Sequence, residues 1–541
     1  MLTAERHPIT FVPGQHRLFL DYCSGVTAAQ AFFPSAPWGE SWREGGHLSS
    51  GRPSHWPELV SLLAEQNASP SQAAAAALEA LRNGAGTVVT GQQVGLLGGP
   101  LFTPFKAASA LARAREATAA GRPHVAIFWL ATEDHDFAEI NNVAFPARRE
   151  LRTLTWAGNP GTARPVGGIV LDESINPLVD EARELLGASD AMETLAAAYR
   201  PGRTLTQAFA DFYSRAFAAQ GLLVLDASGR EAHHMGAPVL RAALERADEL
   251  HGALVERDRE LEEAGYHAQV TVGPQSSLLF LIDEASGERV ALKRTAPSTA
   301  EPDGLWQAGR QSYSTAELIA ILEAEPERIS PSALLRPVFQ DFLLSASAIV
   351  GGPAEIAYFA QSAVLYERIL GRVTPALPRF SATLVEPAIG ALLSQHGLTL
   401  EQVFAETALS LASRLAERAM PVEEKRKLDV AGTALEAALT PLVDWMRALD
   451  AGLGQSAETA AGKIRYQMGR LRSLAANFEL QREASITRHA EAISQALYPG
   501  GVLQERVHGA AYYFARHGFE LAEEITAQAA NPCPGHTVMW L

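Results

Sequence analysis

The chain has 541 residues, 47% hydrophobic and 20% charged, a composition typical of a globular protein with more than one hydrophobic core. Its formal net charge of −16 does not provide the basic surface that nucleic-acid binding requires. Cys23 and Cys533 cannot build a disulfide framework, and no run of about 18 apolar residues predicts a membrane span. The N-terminal stretch lacks an apolar signal-peptide region, so we expect a cytoplasmic protein.

Short apolar runs separated by helical stretches dominate residues 1–387. The runs are 86–91, 124–131, 221–227 and 345–352. This alternation is typical of a parallel sheet with both faces covered, so the sequence predicts a doubly wound α/β core. Residues 150–215 are largely helical, and residues 240–330 contain a helix followed by a hairpin pattern. We interpret both regions as insertions in the core.

Residues 388–490 change character and become rich in Ala, Leu, Glu and Arg. Apolar side chains recur there every three or four residues, which predicts a helical hairpin or coiled coil broken near 452–456. The stripe consists of Leu435, Leu439, Leu442, Trp445 or Met446, Leu449, Ile464, Met468, Leu471 and Phe478. Such a stripe needs a covering surface, so we expect a homodimer; the alternative is packing on the chain's own core. We expect residues 491–541 to return to the core.

The stretch TGQQVGLLGGPLFTPFK, residues 90–106, reads as a strand end, a glycine turn and a helix start. Proline is tolerated in the first turn of a helix, so we predict a start near Pro100–Thr103, with Thr103 as N-cap and Pro104 at N1. Glycines allow close backbone approach, and free amides at a helix start favour an anion. The candidate ligand-binding residues of this turn are Gln92, Gln93, Gly98 and Gly99. The alternative is a tight connection without a ligand.

Two further loops carry candidate residues at the carboxyl ends of predicted strands, where open α/β sheets bind ligands. FWLATEDHDFAEINN contains Glu133, an expected catalytic group of Asp134, His135 and Asp136, and a candidate substrate-binding residue, Asn141. IVGGPAEIAYFAQ repeats the order strand, Gly-Gly-Pro, helix. Its candidate substrate-binding residues are Gly351, Gly352 and Glu355. Glu355 also has an ordinary interpretation as a carboxylate that stabilises a helix start.

Other chemistries find less support in the sequence. Acidic neighbours flank His135, but there is no HExxH motif and both cysteines are isolated, so we predict no metal site. We interpret the adjacent His233 and His234 as solvated or capping side chains. No GxSxG elbow is present. Arg336 and Asp341 could each contact substrate or pair with one another.

Several long motifs resemble the bacillithiol-biosynthesis cysteine-adding enzymes, the cysteine ligase family of that pathway. The motifs are TGQQVGLLGGPLFTPFK, FWLATEDHDFAEINN, LLRPVFQDFLLSASAIVGGPAEIAYFAQ, PRFSATLVEP and LYPGGVLQER. They occur in the family's order and extend over nearly the whole chain. The resemblance implies a Rossmann-like core with two connecting-peptide insertions and a C-terminal coiled coil that forms a homodimer.

The resemblance also implies a reaction, the joining of L-cysteine to the free amine of glucosaminyl malate. It further implies an adenine nucleotide, ATP or ADP, although the sequence contains no clear HIGH or KMSKS motif. The candidate nucleotide-binding residues are Ser381, Thr383, Tyr498 and Arg506. The expected partners are small-molecule substrates and a second copy of the chain, with no nucleic acid and no membrane.

The residues suggest roles in such a reaction. The malyl group is dianionic and suits amide-rich turns, whereas the amine must be held and must lose a proton. Asp134 and Asp136 are candidates to bind the amine, and His135 is a competing base. Two alternatives stay open: a synthetase-like ligase acting on another amino acid, and a coiled-coil scaffold whose core only binds nucleotide.

Overall fold

The computed structural model describes residues 3–44, 52–68, 71–147, 150–158, 163–295, 305–419, 422–482, 484–531 and 535–541. Cys533 and parts of the two predicted insertions lie outside these ranges. The chain folds into two compact units. The first unit comprises Met1–Phe145, Arg152–Thr383 and Glu505–Met539; the second comprises Pro146–Leu151, Leu384–Gln504 and Trp540–Leu541. No helix in the described ranges is both long and apolar enough to cross a bilayer.

Five parallel strands form the central sheet of the first unit. Numbered in chain order, they are β2, Gly86–Gln93; β3, His124–Ala131; β6, Leu223–Asp226; β12, Ala348–Gly351; and β13, Ala376–Pro378. The four predicted strands are thus confirmed. The order is β13-β12-β2-β3-β6, and Val89 pairs with Ile127 on one side and Ile349 on the other. The sheet therefore grows in opposite directions from β2 and β12, and its strand order reverses between these two strands.

Strand β3 shows why the sheet is covered on both faces. All of its residues are buried. Successive side chains of a strand point to opposite faces, so Phe128 and Trp129 contact different layers. Phe128 stacks on Tyr213 with ring centroids 5.7 Å apart, and Trp129 meets Phe339 edge-on at 6.2 Å. Burial of each such ring stabilises the fold by about 1.5–3 kcal/mol.

Helices surround this sheet in the first unit. They are α1, Arg17–Cys23; α2, Thr27–Gln30; α3, Trp56–Gln66; α4, Gln72–Arg82; α5, Phe102–Ala119; α6, Phe137–Ile140; α7, Ile175–Leu186; α8, Asp190–Ala198; α9, Leu205–Ala216; α10, Arg230–Glu245; α11, Ala247–Glu263; α12, Thr315–Ala324; α13, Arg336–Leu344; and α14, Pro353–Leu370. Three more follow the second unit in the chain: α21, Gln504–Val507; α22, Ala510–His517; and α23, Leu521–Ala529.

The other strands form smaller sheets. An antiparallel sheet has the order β10-β9-β8-β7-β11, with β7, Ser276–Ile282; β8, Arg289–Arg294; β9, Trp306–Ala308; β10, Gln311–Tyr313; and β11, Ile329–Pro331. Its β7–β8 pair is the hairpin predicted from the sequence. The remaining strands are β1, Thr3–Pro8; β4, Asn142–Pro146; β5, Leu151–Thr155; β14, Ala382–Val385; and β15, Gly535–Trp540. They form the sheets β1-β15-β14 and β4-β5.

The glycine turn connects β2 to α5, and the helix begins within the predicted stretch Pro100–Thr103, but the predicted cap residues are wrong. Helix α5 begins at Phe102 with Leu101 as its N-cap, not at Pro104 with Thr103 as its N-cap. The reason is that the Thr103 amide already donates to the Pro100 carbonyl at 3.0 Å, so the helical turn has closed before Thr103. Pro104 still lies in the first turn, where its missing N–H leaves no bond unmade.

The second unit is built from helices. They are α15, Pro387–His396; α16, Leu400–Ala405; α17, Ala408–Ala419; α18, Val422–Leu449; α19, Ala451–Arg482; and α20, Ala484–Leu497. Helices α18 and α19 form the predicted antiparallel hairpin and are joined by ion pairs such as Arg465–Glu436 at 2.9 Å. The break predicted near 452–456 is found two residues earlier, at Asp450. The chain turns at Asp450, whose carboxylate accepts the Leu453 amide at 2.9 Å and so starts α19 earlier.

The hairpin has a buried and an exposed apolar face. Val443 of α18 is 5% exposed, whereas Trp445 and Leu449 are 57% and 60% exposed. On α19, Leu471 and Phe478 are likewise exposed. The predicted stripe therefore contains side chains that remain in contact with solvent in this single chain.

Candidate active site

A cavity of about 420 Å³ lies in the first unit at the carboxyl ends of β2, β3 and β12. This is the edge where the strand order reverses, the usual ligand position in an open α/β sheet. The cavity is lined by Gln93 at the end of β2, Asp134 after β3 and Gly352 after β12. The three loops singled out in the sequence therefore meet around one space.

The predicted site residues divide into two groups by position. The following line the cavity: Gln92, Gln93, Asp134, His135, Gly352, Glu355 and Arg506. The following do not: Gly98, Gly99, Asp136, Asn141, Gly351, Ser381, Thr383 and Tyr498. Lining a cavity does not establish a role, so the roles proposed for these residues stay predictions.

The second half of the glycine turn is packed against aromatic residues. Gly98 has a φ of +86°, a conformation that glycine adopts readily. Its amide donates to the Tyr199 hydroxyl at 3.0 Å, and the Tyr213 hydroxyl donates to its carbonyl at 2.8 Å. Gly99 donates its own amide to the Leu96 carbonyl. The backbone amides of Gly98 and Gly99 therefore donate to acceptors within the protein, which agrees with the interpretation of this turn as a tight connection.

Asp136, Asn141 and Gly351 have local structural contacts. The Asp136 carboxylate accepts the Glu139 amide at 3.2 Å and caps α6. The Asn141 side-chain amide donates to the Trp156 carbonyl at 3.1 Å. The Gly351 carbonyl accepts the Arg379 amide at 2.8 Å, while its neighbour Gly352 faces the cavity.

The predicted nucleotide-binding residues have different surroundings. Ser381 and Thr383 have their hydroxyls 2.9 and 2.8 Å from the two ring nitrogens of His536. Burial lowers the pKa of His536 to about 4, so its ring is neutral near pH 7. Tyr498 belongs to the second unit, where its ring lies 5.2 Å from that of Phe404. Among these four predicted residues, Arg506 is the one that lines the cavity.

Lys106 and Glu355 form a buried ion pair beneath the cavity. The Lys106 ammonium lies 2.5 Å from the Glu355 carboxylate and donates to the Gly91 carbonyl and the Gln92 side chain. Burial raises the pKa of Glu355, but Lys106 and the Gly352 amide outweigh it and hold the pKa below its usual value. The pair therefore connects the end of β2 to the start of α14.

A hydrogen-bonded acidic group forms one wall of the cavity. The Gln93 side-chain amide donates to Asp134 at 2.7 Å and to Glu139 at 3.1 Å. The His135 amide donates to the other Asp134 oxygen at 2.7 Å. Burial raises the pKa of Asp134, but the opposing effect of these hydrogen-bond donors and Arg289 is larger, so the pKa is below its usual value. Asp134 therefore stays ionised near neutral pH.

The cavity also presents guanidinium groups that form no contact ion pair with a described carboxylate. In the described part of the chain, Arg289, Arg336 and Arg506 have no carboxylate within ion-pair distance. Arg289 of β8 lies 3.7 Å from the Phe280 ring centroid, and Arg336 donates to the Tyr358 hydroxyl at 2.8 Å. Cations that lack a contact ion pair in a semi-enclosed space favour an anionic ligand.

Arg379, by contrast, is paired. Its guanidinium lies 2.5 Å from the Glu505 carboxylate, and both side chains are at most 3% exposed. Glu505 also accepts from the Ser381 hydroxyl and the Ala382 amide. Burial raises the pKa of Glu505, but Arg379 outweighs this and the pKa falls below its usual value. This pair connects α21 to the segment that leads from β13 to β14.

His233 contradicts the prediction made for the adjacent histidines. Its side chain is fully buried on α10, and Nε2 lies 2.9 Å from Oε1 of Glu133, which lines the cavity. The prediction failed because β3 places Glu133 against α10, and this neighbourhood is not visible in the sequence. His234, one residue along, is exposed as predicted.

Sequence reasoning missed several lining residues, among them Lys106, Arg289, Tyr358 and Arg379. Lys106 and Arg379 lie within two of the quoted motifs, so the motifs themselves were the available signal. Arg289 comes from the hairpin β7–β8, in a stretch with no distinctive pattern. The sequence analysis also considered Arg336 and Asp341 as substrate contacts or as partners of one another. Arg336 lines the cavity, whereas Asp341 is buried and pairs with Arg372 at 2.5 Å.

Comparison with known proteins agrees with this architecture. Residues 6–380 match the family model described as bacillithiol biosynthesis BshC, N-terminal Rossmann-like domain. Residues 382–541 match the corresponding C-terminal coiled-coil domain.

Curated relatives match over most of their length. A protein of Koribacter versatilis named "Putative cysteine ligase BshC" is 41% identical over 98% of both chains. Proteins of the same name from Solibacter usitatus and Salinibacter ruber are 35% identical over 84% of both chains and 30% identical over 99% of this chain and 98% of the relative. The two domain models and these alignments show that the chain belongs to the bacillithiol biosynthesis BshC family.

Proposed function

We propose that this chain is a ligase that joins the carboxyl group of L-cysteine to the free amine of glucosaminyl malate, giving bacillithiol in the cytoplasm. The observation that carries the proposal is one cavity lined both by arginines without a contact ion pair among the described residues and by the Asp134 carboxylate, whose pKa is lowered. Glucosaminyl malate has the matching chemistry, with two carboxylates at one end and an ammonium group at the other. The meeting of the three loops also counts against a scaffold.

The malyl group would bind at the guanidinium side of the cavity. Arginine presents a planar set of donors that matches a carboxylate, and Arg336 supplies one such set. The sugar would then lie toward β3, where Asp134 and Glu139 face the cavity. Carboxylates there hold an ammonium group and orient it before it loses its proton.

Amide formation from a carboxylate requires activation, and we propose that an adenine nucleotide supplies it by phosphoryl or adenylyl transfer when bound. The guanidinium of Arg506 fits a phosphate group. Thr383 fits a ligand less well, because it is 1% exposed and contacts His536. The residues of this chain would orient the two substrates and exclude water from the bond that forms.

A direct test uses an extract from a bacterium whose own BshC gene has been deleted. The purified chain is added with L-cysteine, glucosaminyl malate and ATP, and bacillithiol is measured by mass spectrometry. We expect product that depends on the chain, on both substrates and on ATP. Product formed equally without ATP would remove nucleotide dependence, and product from another amino acid in place of cysteine would favour the synthetase-like alternative.

We also propose that the chain forms a homodimer through the exposed face of the α18–α19 hairpin. Leu442, Trp445 and Leu449 of α18 and Leu471 and Phe478 of α19 are each more than half exposed. Apolar side chains repeating along a helical hairpin are typical of a surface that a second helical pair covers.

The dimer proposal predicts a change in mass. The double variant Trp445→Glu with Leu449→Glu is expected to be monomeric at micromolar concentration, because paired charges would be buried in the interface. Thr440→Glu is the matched control, since it adds charge at an exposed polar position of the same helix. Light scattering after gel filtration measures the mass. A wild-type monomer, or a dimer in the double variant, would contradict the proposal.

A further inference from the structure

The buried ion pair between Glu133 and His233 lies at the edge of the cavity and has no part in the function proposed so far. His233 is fully buried, and the Glu133 side chain is 13% exposed and lines the cavity. A buried histidine whose carboxylate partner reaches a ligand space is an arrangement typical of sites that bind or transfer protons. The argument below deepens the proposed function and rests on it.

Hydrogen-bond chemistry determines where the protons of His233 lie. Nδ1 is 3.1 Å from the Pro326 carbonyl, which can only accept, so Nδ1 carries a hydrogen. Nε2 lies 2.9 Å from the Oε1 atom of Glu133, which is within ion-pair distance. Burial lowers the pKa of His233, but Glu133 and the backbone carbonyl outweigh it and raise the pKa above its usual value. The raised pKa favours the protonated form of His233 at its contact with Glu133.

The carboxylates around the cavity differ in the oxygen atoms that they leave for a ligand. Both oxygens of Asp134 already accept hydrogen bonds, from Gln93 and from the His135 amide. Glu355 is paired with Lys106. Glu133 contacts His233 through Oε1, and no described residue donates to its Oε2.

His135 is a weaker candidate base than Glu133. Its Nδ1 lies 3.4 Å from the Arg289 guanidinium, which can only donate, so that nitrogen serves as an acceptor. The charged and titratable groups near Glu133 are His233 of α10, Arg289 of β8, and its chain neighbours Asp134 and His135.

We propose that Glu133 is the catalytic residue that binds the substrate's ammonium group and accepts its proton, and that His233 is the positioning residue that fixes Glu133. In this step an N–H bond of the ammonium breaks and an O–H bond forms at Oε2. The electron pair of the broken bond remains on nitrogen, which becomes the nucleophile for the activated cysteine carbonyl. Asp134, whose oxygens already accept hydrogen bonds, contributes negative charge near the ammonium group.

The first test is Glu133→Gln, which keeps the shape of the side chain and cannot take a proton. Initial rates of bacillithiol formation are measured in the deletion-strain extract at varied glucosaminyl malate and pH. We expect kcat to fall about 10²- to 10⁴-fold, with a thermal midpoint close to wild type. Glu231→Gln, an exposed glutamate on α10, is the matched control and keeps the wild-type rate. A folded Glu133→Gln variant within threefold of wild-type kcat would overturn the assignment.

The second test separates positioning from simple packing at His233. His233→Gln places an N–H near the position of Nε2 and is expected to keep most of kcat. His233→Asn cannot reach Glu133 and is expected to lose at least tenfold, with the acidic limb of the kcat/KM profile moved to higher pH. That movement reflects loss of the cation beside the carboxylate. His234→Asn is the exposed control.

The outcomes distinguish this inference from the function on which it rests. Absence of bacillithiol with the wild-type chain contradicts the proposed function and, with it, the role of Glu133. Product from wild type together with equal losses and unchanged pH profiles in both His233 variants contradicts the positioning role alone. If His233→Asn does not fold, Glu133→Gln and His233→Gln decide the question by their kcat values.

Discussion

Replacing Arg336 with methionine is expected to lower kcat/KM for glucosaminyl malate by roughly 30- to 1,000-fold, about 2–4 kcal/mol. Arg336 is the first residue of α13 and donates to Tyr358 at 2.8 Å, which leaves further N–H groups for a ligand. Burial lowers the pKa of Arg336, but the opposing effects of Tyr358, Glu355 and Asp134 are larger, and the pKa lies above its usual value. The guanidinium therefore remains charged. Removing this cation would leave a malyl carboxylate in the cavity without its partner.

Rates in the deletion-strain extract measure this effect, and most of it should appear in KM for glucosaminyl malate and little in KM for cysteine. Arg336→Lys is expected to be intermediate, since it keeps the charge and loses the planar donor set. Arg368→Met on α14 is the matched control, because within the described ranges the Arg368 side chain forms a surface ion pair with Glu249. An Arg336→Met variant with unchanged KM would show that the malyl group binds elsewhere.

The second large effect concerns stability. Arg379→Met is expected to destabilise the first unit by about 3–5 kcal/mol, because it leaves Glu505 buried without its counter-charge. Glu505 is 2% exposed, and the remaining donors, Ser381 and Ala382, are neutral. Urea unfolding followed by tryptophan fluorescence measures the change as a lower transition midpoint.

The double variant Arg379→Met with Glu505→Leu tests the physical reason. It should recover much of the lost stability, because an apolar pair of similar size no longer buries an isolated charge. Arg259→Met is the surface control, since Arg259 pairs only with exposed glutamates on α11, and its midpoint should stay near wild type. Equal midpoints for the single and double variants would show that the ion pair is not what stabilises this junction.

The sequence by itself determined the strands of the core, the helical hairpin and the family. A continuous apolar run predicts a strand covered on both faces, because every side chain of such a strand must be buried whatever packs on it. All residues of β3 are buried in this way. The sequence did not distinguish the surroundings of the two Gly-Gly-Pro turns. The repeated Gly-Gly-Pro pattern indicated that 98–100 and 351–353 would resemble each other, yet Gly98 is enclosed by Tyr199 and Tyr213 whereas Gly352 lines the cavity.

Only the tertiary structure decided which polar side chains share the site. Asp134 and Asp136 are two residues apart and look equivalent in sequence, but one faces the cavity and the other caps α6. Arg289 of β8 interacts electrostatically with Asp134, although the two residues are 155 positions apart in the sequence. His233 pairs with Glu133, although these two are 100 positions apart. Local patterns depend on neighbours along the chain, whereas charge, burial and proton position depend on neighbours in space, which the packing of β3 against α10 and β8 determines.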